Sequence, residues 1–196
     1  VKINGINIHT EKSKIEGVIG HVSQDDLLIE ELTVFQNLFY NAKLCFGNAT
    51  DEEIEERITK TLLSLGLDEI KHIKVGNALN KKISGGQRKR LNIALELLRE
   101  PHIIFLVEPT SGLSSRDSEN VMDLLKELTI KGKLIFVVIH QPSSDIFKMF
   151  DKLLILDKGG FAAFYGNPIE SVTHFKKATY QINSDVAECY TCGSVN

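Results

Sequence analysis

The chain has 196 residues, 42% hydrophobic and 25% charged, which supports a buried core and excludes a disordered or fibrous protein. Its formal net charge of −3 gives no broad attraction to nucleic acid or to an anionic membrane, so no nucleic-acid partner is expected. No apolar run approaches the roughly 20 residues that a transmembrane helix needs. A membrane role is therefore expected to require another segment or another chain.

The three cysteines indicate no disulfide framework, because their number is odd, and they fit a reducing compartment. Cys45 lies in a mostly apolar helical stretch and is expected to be a small core residue. Cys189 and Cys192 form one C-x-x-C, which is half of a zinc-ribbon spacing. A structural zinc needs four ligands, so a zinc site here would require residues beyond Asn196.

The first third of the chain predicts strands and then helices. Residues 1–8 alternate apolar and polar side chains as a strand does, and the chain is expected to begin in the middle of a fold. A buried strand over Val18–Val22 is predicted to run into a polar loop at residues 23–26. Thr33 is predicted to cap a helix that reaches Cys45, and Asp51 to cap a second helix that Gly66 ends.

A third helix is predicted to begin after Ser84, where Ser84 and Gln87 have the spacing of a capping box. Its buried face follows at helical spacing: Leu91, Ala94, Leu95 and Leu98. Gly85 and Gly86 each lower helix propensity by roughly 1 kcal/mol relative to alanine, which is understandable if another molecule must approach the backbone. Free N–H groups and the helix dipole would bind an anion there, most commonly phosphate. The alternative is that the two glycines only finish a surface loop.

The remainder of the chain alternates apolar strands with helices, which predicts an α/β fold with parallel strands. The predicted elements are a strand at 103–107, a helix around 121–128 that Gly132 ends, a strand at 133–140, a short helix at 144–150, a strand at 152–156, a hairpin at 157–160 into a further strand, and a helix at 169–177. Beyond Ala178 the periodicity fades, and an extended or loosely attached tail is expected.

An isolated polar residue follows each of three apolar strands: Gln24, Glu108 and His140. In open α/β sheets, ligands bind beyond the carboxyl ends of the parallel strands. One such residue alone is readily explained as a core histidine or an edge glutamate. Three at one rim, together with an anion-binding helix start, favour a phosphate site.

At these positions the chain resembles the ATP-binding subunits of ABC transporters. ISGGQ, residues 83–87, is similar to the family's signature, and IIFLVEPTSGLSS, residues 103–115, is similar to its Walker B strand and D-loop. Gln24 matches the Q-loop and His140 the switch histidine, and the motifs run in the family's order from about Val1 to Phe175. GGQRKRLNIALELLREP and HQPSSDIFKMFDKLLILDKGG are most similar to the G subfamily, the white-type exporters of lipids, sterols and drugs.

The resemblance implies a P-loop NTPase-like (RecA-like) domain, incomplete at its N-terminus, with a mostly parallel sheet. The partial ATP-binding domain would span residues 1–178, with an inserted α-helical subdomain at about 33–100, and residues 179–196 would form a tail or begin a further segment. ATP and Mg²⁺ are the implied cofactors. A second ATP-binding domain and a transmembrane transporter domain are the implied partners, at the cytoplasmic side of the cell membrane.

The resemblance also implies a role for each matching residue. Glu108 would orient or deprotonate the attacking water, His140 would contact the γ-phosphate, and Gln24 would sense Mg²⁺ and water and pass the state to the membrane subunit. The signature would act on the nucleotide of a second domain stacked head to tail, through Ser84, Gly85, Gly86 and Gln87. The D-loop would be formed by Ser111, Gly112, Leu113 and Ser114.

Three departures from the family pattern stand out. The phosphate loop G-x-x-x-x-G-K-[ST] is absent from the 196 residues, for which truncation is the simplest account. Val107 takes the place of the Walker B aspartate and has no oxygen for a hard cation, and Ser114 takes the place of the usual D-loop aspartate. The chain by itself is therefore expected neither to bind MgATP tightly nor to hydrolyse it.

Two alternative functions stay open at this point. A catalytically dead ABC-type module with a binding or regulatory role would explain Val107 and the absent phosphate loop. An ABC ATPase of DNA maintenance would need a long coiled coil or a large insertion between Gln24 and Ser84, where no heptad run is present. The transported substrate and the direction of transport do not follow from the sequence.

Overall fold

A computed structural model describes residues 2–15, 17–77, 80 and 82–178. The described chain divides into two compact units between His140 and Gln141. The first unit contains, in chain order, β1 Lys2–Ile3, β2 Ile6–Asn7, β3 Ile19–Val22, α1 Val34–Cys45, α2 Asp51–Ser64, α3 Gly85–Leu97, β4 Ile103–Val107, α4 Ser115–Ile130 and β5 Leu134–Val138. Short 3₁₀ turns occur at Lys12–Lys14 and Asp68–Ile70.

The chain start forms a hairpin, so the prediction of a single strand over residues 1–8 was wrong. β1 and β2 pair antiparallel, with Ile3 opposite Ile6. The two residues between them, Asn4 and Gly5, have φ values of 48° and 83°. Asn-Gly is the preferred sequence for a two-residue hairpin turn, because both residues tolerate positive φ.

The centre of the first unit is a parallel sheet of three strands in the order β3-β4-β5, which confirms the predicted α/β class. Gly20 and Val22 of β3 lie opposite Ile104 and Leu106 of β4. Ile104 and Leu106 are fully buried, on the side where α3 contacts β3. The other face carries exposed apolar side chains, among which the rings of Phe105 and Phe136 stack with centroids 4.8 Å apart.

Helices α1, α2 and α3 pack against one another and bury the faces predicted from the helical periodicity. The buried side chains of α1 and α2 include Val34, Leu38, Ala42, Ile54, Ile58 and Leu62. Thr33 caps α1 as predicted, in a capping box with Gln36. The prediction for α2 was wrong by one residue: Thr50 is the cap and forms a box with Glu53, while Asp51 lies in the first turn. A carboxylate is favourable there because of the helix dipole.

Cys45 is the last residue of α1 and is only half-buried, so its prediction as a small core residue was wrong. Its thiol sulfur accepts a hydrogen bond of 3.2 Å from Nε of Arg99. A side chain at a helix end has fewer neighbours than one in the middle of the buried face, which explains the difference. Cys189 and Cys192 lie outside the described residues.

The second unit contains α5 Ser144–Lys148, β6 Leu153–Leu156, β7 Ala162–Gly166 and α6 Pro168–Ala178. β6 and β7 pair antiparallel as the predicted hairpin, and its turn places Gly159 and Gly160 at φ values of 87° and 82°. Pro168 is the first residue of α6, a position where the absence of an N–H group costs no hydrogen bond. The predicted tail beyond Ala178 lies outside the described residues.

Candidate functional site

The strand register brings the positions of Gln24, Glu108 and His140 to one edge of the parallel sheet. Val22, the last residue of β3, lies opposite Leu106, and Val107 of β4 lies opposite Val138 of β5. Gln24 lies two residues beyond the end of β3, and His140 lies two residues beyond the end of β5. Glu108 comes directly after the last residue of β4. The three residues therefore leave the sheet at the edge where ligands bind in open α/β folds.

Glu108 has a strained backbone at this edge. Its φ is 46°, in the left-handed region of backbone conformation that residues other than glycine rarely adopt. The conformation is supported by a hydrogen bond of 2.8 Å from its N–H to the carbonyl of Val138 on the neighbouring strand. Such strain costs of order 1–3 kcal/mol and clusters at functional sites, which supports a functional role for the half-buried Glu108 side chain.

Gln24 and His140 are both exposed and free to contact a ligand. Within the described part of the chain, neither side chain has a hydrogen-bond partner, and neither bonds to Glu108. The structure thus brings the three predicted residues to one rim without joining them directly. A ligand bound at the rim would be the element that connects them.

The start of α3 has the geometry predicted for Ser84. The Ser84 Oγ accepts from the N–H of Gln87 at 3.1 Å, and the Ser84 N–H donates to Oε1 of Gln87 at 2.7 Å. The Ser84 N–H is therefore already used by the capping box. Among the described residues, no acceptor bonds the N–H groups of Gly85 and Gly86. Gly86 is buried, so the Gly85 N–H and the Ser84 hydroxyl hydrogen are the donors that remain for an anion.

Gly86 allows α4 to approach the start of α3 closely. A Cβ atom added to Gly86 would lie 2.6 Å from Oδ1 and 3.0 Å from Cγ of Asp117. The Asp117 carboxylate is itself held by the hydroxyl of Ser114, which donates to its Oδ2 at 2.8 Å. At Gly85 an added Cβ would meet only a methyl group of Leu113, at 3.1 Å. Gly86 therefore has a packing role within the chain, whereas Gly85 is open enough to face a ligand.

The predicted D-loop, residues 111–114, connects the rim to α4. Ser111 donates its N–H to the carbonyl of Glu108 at 3.2 Å, and Gly112 has a φ of 71°. Ser114 is the N-cap of α4, and its Oγ accepts from the N–H of Asp117 at 3.1 Å. Serine is thus well suited to position 114 as a helix cap, although it lacks the carboxylate of the aspartate that is usual at this place in a D-loop.

The side chains at the rim fit a Mg²⁺ ion held mainly through a nucleotide. Val107 is half-buried at the end of β4 and offers no oxygen. The amide of Gln24 and the carboxylate of Glu108 are oxygen ligands of the kind that Mg²⁺ prefers, and this ion is usually bound by one or two protein groups together with phosphates and water. Across residues 2–178, apart from the few positions not described, no cluster of three or more acidic, histidine or cysteine ligands occurs.

Arg88 and Lys89 of α3 form a basic cluster next to the Gln24 loop that was not predicted from the sequence. The Lys89 ammonium donates to the backbone carbonyl of Gln24 at 2.9 Å, and Nε of Arg88 pairs with Oδ2 of Asp26 at 2.9 Å. Burial lowers the pKa of Lys89, and the nearby carboxylates of Asp26, Asp25 and Glu108 oppose that shift. The sequence held one signal of this: Lys89 precedes the apolar Ile93 by four residues, so the two share one face of α3.

A groove of about 590 Å³ lies elsewhere in the first unit, along α2 and the C-terminal ends of α3 and α4. It contains none of the predicted site residues, and its lining mixes both charges with apolar side chains, including Glu53, Arg57, Lys60, Leu97 and Leu128. Nothing about this groove matches the phosphate chemistry of the rim.

In the part of the chain that the structure describes, every helix is too short or too polar to span a membrane.

Comparison with known families gives two matches along the chain. A family described as ABC transporter matches residues 1–111, which is more than half of the chain. A family described as ABC-2 type transporter matches residues 140–187.

Similar proteins cover most of the chain. ABC-type transporter claG of Penicillium crustosum is 37% identical over 188 residues, 94% of this chain and 25% of that protein. Broad substrate specificity ATP-binding cassette transporter ABCG2 of Bos taurus is 43% identical over 157 residues, 80% of this chain and 24% of that protein. ABC transporter G family member 13 of Arabidopsis thaliana is 39% identical over 170 residues, 86% of this chain and 25% of that protein.

Among solved structures, cbiO1 of Clostridium perfringens, part of the ABC transporter complex cbiONQ, superposes with a TM-score of 0.74. It is 26% identical, and the match covers 94% of this chain and 71% of that chain. The likeness confirms the predicted P-loop NTPase-like fold. This chain spans about a quarter of the length of the relatives named above.

Proposed function

Because the chain belongs to the ABC transporter family and is most similar to the G subfamily, we propose that it hydrolyses ATP as part of a longer protein and couples that reaction to transport through a membrane domain. The observation that carries the proposal is the strand register, which brings Gln24, Glu108 and His140 to one edge of the parallel sheet. The match of residues 140–187 to an ABC-2 type transporter family supports the link to a membrane domain.

Glu108 is the proposed base for the attacking water. Its carboxylate follows β4 directly, and its strained backbone is fixed by β5, so the side chain leaves the sheet at a defined place. Phosphoryl transfer depends mostly on positioning and charge stabilisation. His140 is the proposed contact to the γ-phosphate, and Gln24 the proposed contact to the water.

Mg²⁺ would neutralise the developing negative charge on the phosphates. Gln24 and Glu108 are the residues of this chain that would hold it, since Val107 cannot. A site with one protein oxygen ligand fewer is expected to bind the ion more weakly. The bound phosphates would then supply a larger share of its ligands.

The signature at Ser84–Gln87 is proposed to act on a nucleotide held by a second ATP-binding domain. The Gly85 N–H has no acceptor among the described residues and lies at the positive end of the α3 dipole. In a head-to-tail pair this donor would face the nucleotide of the partner domain, while Gln24, Glu108 and His140 would face the nucleotide of their own chain. Such a pair would lie at the cytoplasmic side of the membrane.

The 196-residue chain alone is expected not to bind MgATP with micromolar affinity. It contains no G-x-x-x-x-G-K-[ST] sequence, and therefore lacks the nest of backbone N–H groups and the lysine that hold the β- and γ-phosphates. Isothermal titration calorimetry of the chain with MgATP measures this directly. Micromolar binding would contradict the expectation, and a version with the phosphate loop added serves as the positive control.

A catalytically dead module is the second candidate function, and Val107 is the observation that favours it. Such a protein would bind a nucleotide or a partner without turnover. The strained backbone of Glu108, held by its hydrogen bond to Val138, gives no benefit to a dead site, which weighs against this candidate. ATPase assay of the longer protein separates the two: turnover that depends on Glu108 excludes the dead module.

A further inference from the structure

Three consecutive basic residues of α3 each bond a backbone carbonyl of a different loop. Arg88 donates to the carbonyl of Gly76 at 2.6 Å, Lys89 to that of Gln24 at 2.9 Å, and Arg90 to that of Leu65 at 2.9 Å. A run of charged residues on a helix is usually solvated. Lys89 is only 6% exposed, so its ammonium has been taken out of water for a specific interaction.

The loop that carries Gln24 depends on these contacts. Residues 23–29 have no regular secondary structure, and the far end of this loop is fixed to α1, because the Asn37 side chain bonds both the N–H and the carbonyl of Ile29. Around Gln24, at residues 23–26, the described chain shows two hydrogen bonds to another element, and both come from α3: Lys89 to the Gln24 carbonyl, and Arg88 to the Asp26 carboxylate. A further hydrogen bond, from Ser23 Oγ to the Asp25 carbonyl, lies within the loop.

Lys89 also lies within electrostatic range of Glu108, Asp25 and Asp26. These carboxylates favour the charged form of Lys89, and hydrogen bonds from charged donors are among the stronger ones in proteins. Lys89 therefore connects the Gln24 loop to the helix that starts at Ser84.

We propose that Lys89 is a positioning residue that fastens the Gln24 loop to helix α3, so that the loop at one nucleotide and the signature at the other move together. The proposal rests on the function proposed above for its effect on catalysis, but the fastening itself does not. Because the acceptor is the backbone carbonyl, the Gln24 side chain stays free for a ligand. Lys89 itself is not proposed to touch the nucleotide.

The first test is limited proteolysis of the longer protein, without nucleotide, using endoproteinase Asp-N, which cuts before aspartate. Lys89→Met removes the donor and the charge at similar length, and its methionine is compatible with a buried site. Cleavage before Asp25 or Asp26, followed by mass spectrometry, is expected to become about tenfold faster, the effect of losing one hydrogen bond to a charged group. Lys60→Met is the matched control, because Lys60 is an exposed residue of α2 that pairs with Glu56 one turn away. Cleavage of this variant should be as fast as cleavage of the unmodified protein.

Equal cleavage of Lys89→Met and the unmodified protein would overturn the fastening, whatever the ATPase assay shows. If Lys89→Met is cut at every aspartate because it unfolds, Lys89→Arg decides instead, since it keeps the charge and the donors. If cleavage of Lys89→Arg before Asp25 is as slow as in the unmodified protein, the proposal is supported. If Lys89→Arg is cut faster before Asp25 and not at other aspartates, the proposal is overturned.

The second test is steady-state ATPase kinetics of the same variants. Lys89→Met is expected to lower kcat about tenfold with KM for MgATP changed less than about threefold, because a loosened Gln24 loop affects positioning more than binding. Lys89→Arg should recover most of kcat. An opened loop with unchanged kcat would overturn the positioning role while leaving the fastening intact, and absence of turnover in the unmodified protein would instead count against the proposed function.

Discussion

Replacing Glu108 by glutamine is expected to lower the ATP turnover of the protein that carries this chain and a phosphate loop by about two to four orders of magnitude, the range for removal of a general base. Glutamine keeps the length of the side chain and its oxygen acceptor, so the strained backbone and its bond to Val138 should persist. MgATP binding should therefore survive. Steady-state turnover and equilibrium binding, measured on the same preparation, separate the two effects.

Glu127→Gln is the matched control for Glu108→Gln. Glu127 is an exposed residue of α4 whose carboxylate pairs with Lys131 one turn further on, and surface pairs of this kind contribute little to stability. Its turnover should match that of the unmodified protein. An unchanged rate in Glu108→Gln would remove Glu108 from the mechanism, whereas absence of turnover in the unmodified protein would favour the dead module.

Replacing Gly86 by alanine is expected to destabilise the domain, because the new methyl group would lie 2.6 Å from Oδ1 of Asp117. Overpacking of this kind costs about 1–3 kcal/mol, which exceeds the roughly 1 kcal/mol that alanine gains over glycine in a helix. Asp117 cannot easily turn away, since Ser114 holds its carboxylate and the clash extends to its Cβ at 3.2 Å. Urea unfolding of the domain with its phosphate loop restored measures the difference.

Two other glycines provide the comparison for Gly86. Gly47 has open space where a Cβ would be added, so Gly47→Ala should leave the free energy of unfolding within about 0.5 kcal/mol. In Gly85→Ala the new methyl group meets only the movable end of Leu113, so this variant should be nearly as stable as the unmodified domain. It should nevertheless lose ATP turnover if phosphate approaches Gly85. Asp117→Ala, combined with Gly86→Ala, should recover much of the lost stability. Equal stabilities for the alanine variants at positions 47 and 86 would contradict the packing argument.

Much of the fold followed from local patterns in the sequence. The apolar runs of β4 and β5 predicted parallel strands, and the capping box at Ser84 predicted the start of α3, because both signals depend on nearby residues. The apolar runs also suggested strands covered on both faces, but one face of β4 and β5 is exposed. The errors were local as well. Asn4-Gly5 forms a turn inside an alternating stretch, and Thr50 caps α2 in place of Asp51 because Glu53 completes its capping box.

The parts of the site that could not be predicted depend on residues far apart in the chain. The bond between Lys89 and the Gln24 carbonyl joins positions 65 residues apart, and its acceptor is backbone, which leaves no side-chain pattern to detect. The close approach of Asp117 to Gly86 is likewise set by how α4 packs on α3. The strain at Glu108 became visible only in the backbone angles.

The central claim is that Glu108 and Gly85 of one chain serve two different nucleotides, and mixed pairs of the longer protein test it most directly. Two differently tagged copies are co-expressed, isolated through both tags and assayed for ATP turnover. If the sites form between copies, Glu108→Gln on one copy and Gly85→Asp on the other leave one intact site, whereas both changes on the same copy leave none. Turnover should therefore survive in the first arrangement and be lost in the second. The reverse outcome, or copies that do not pair at all, would contradict the account.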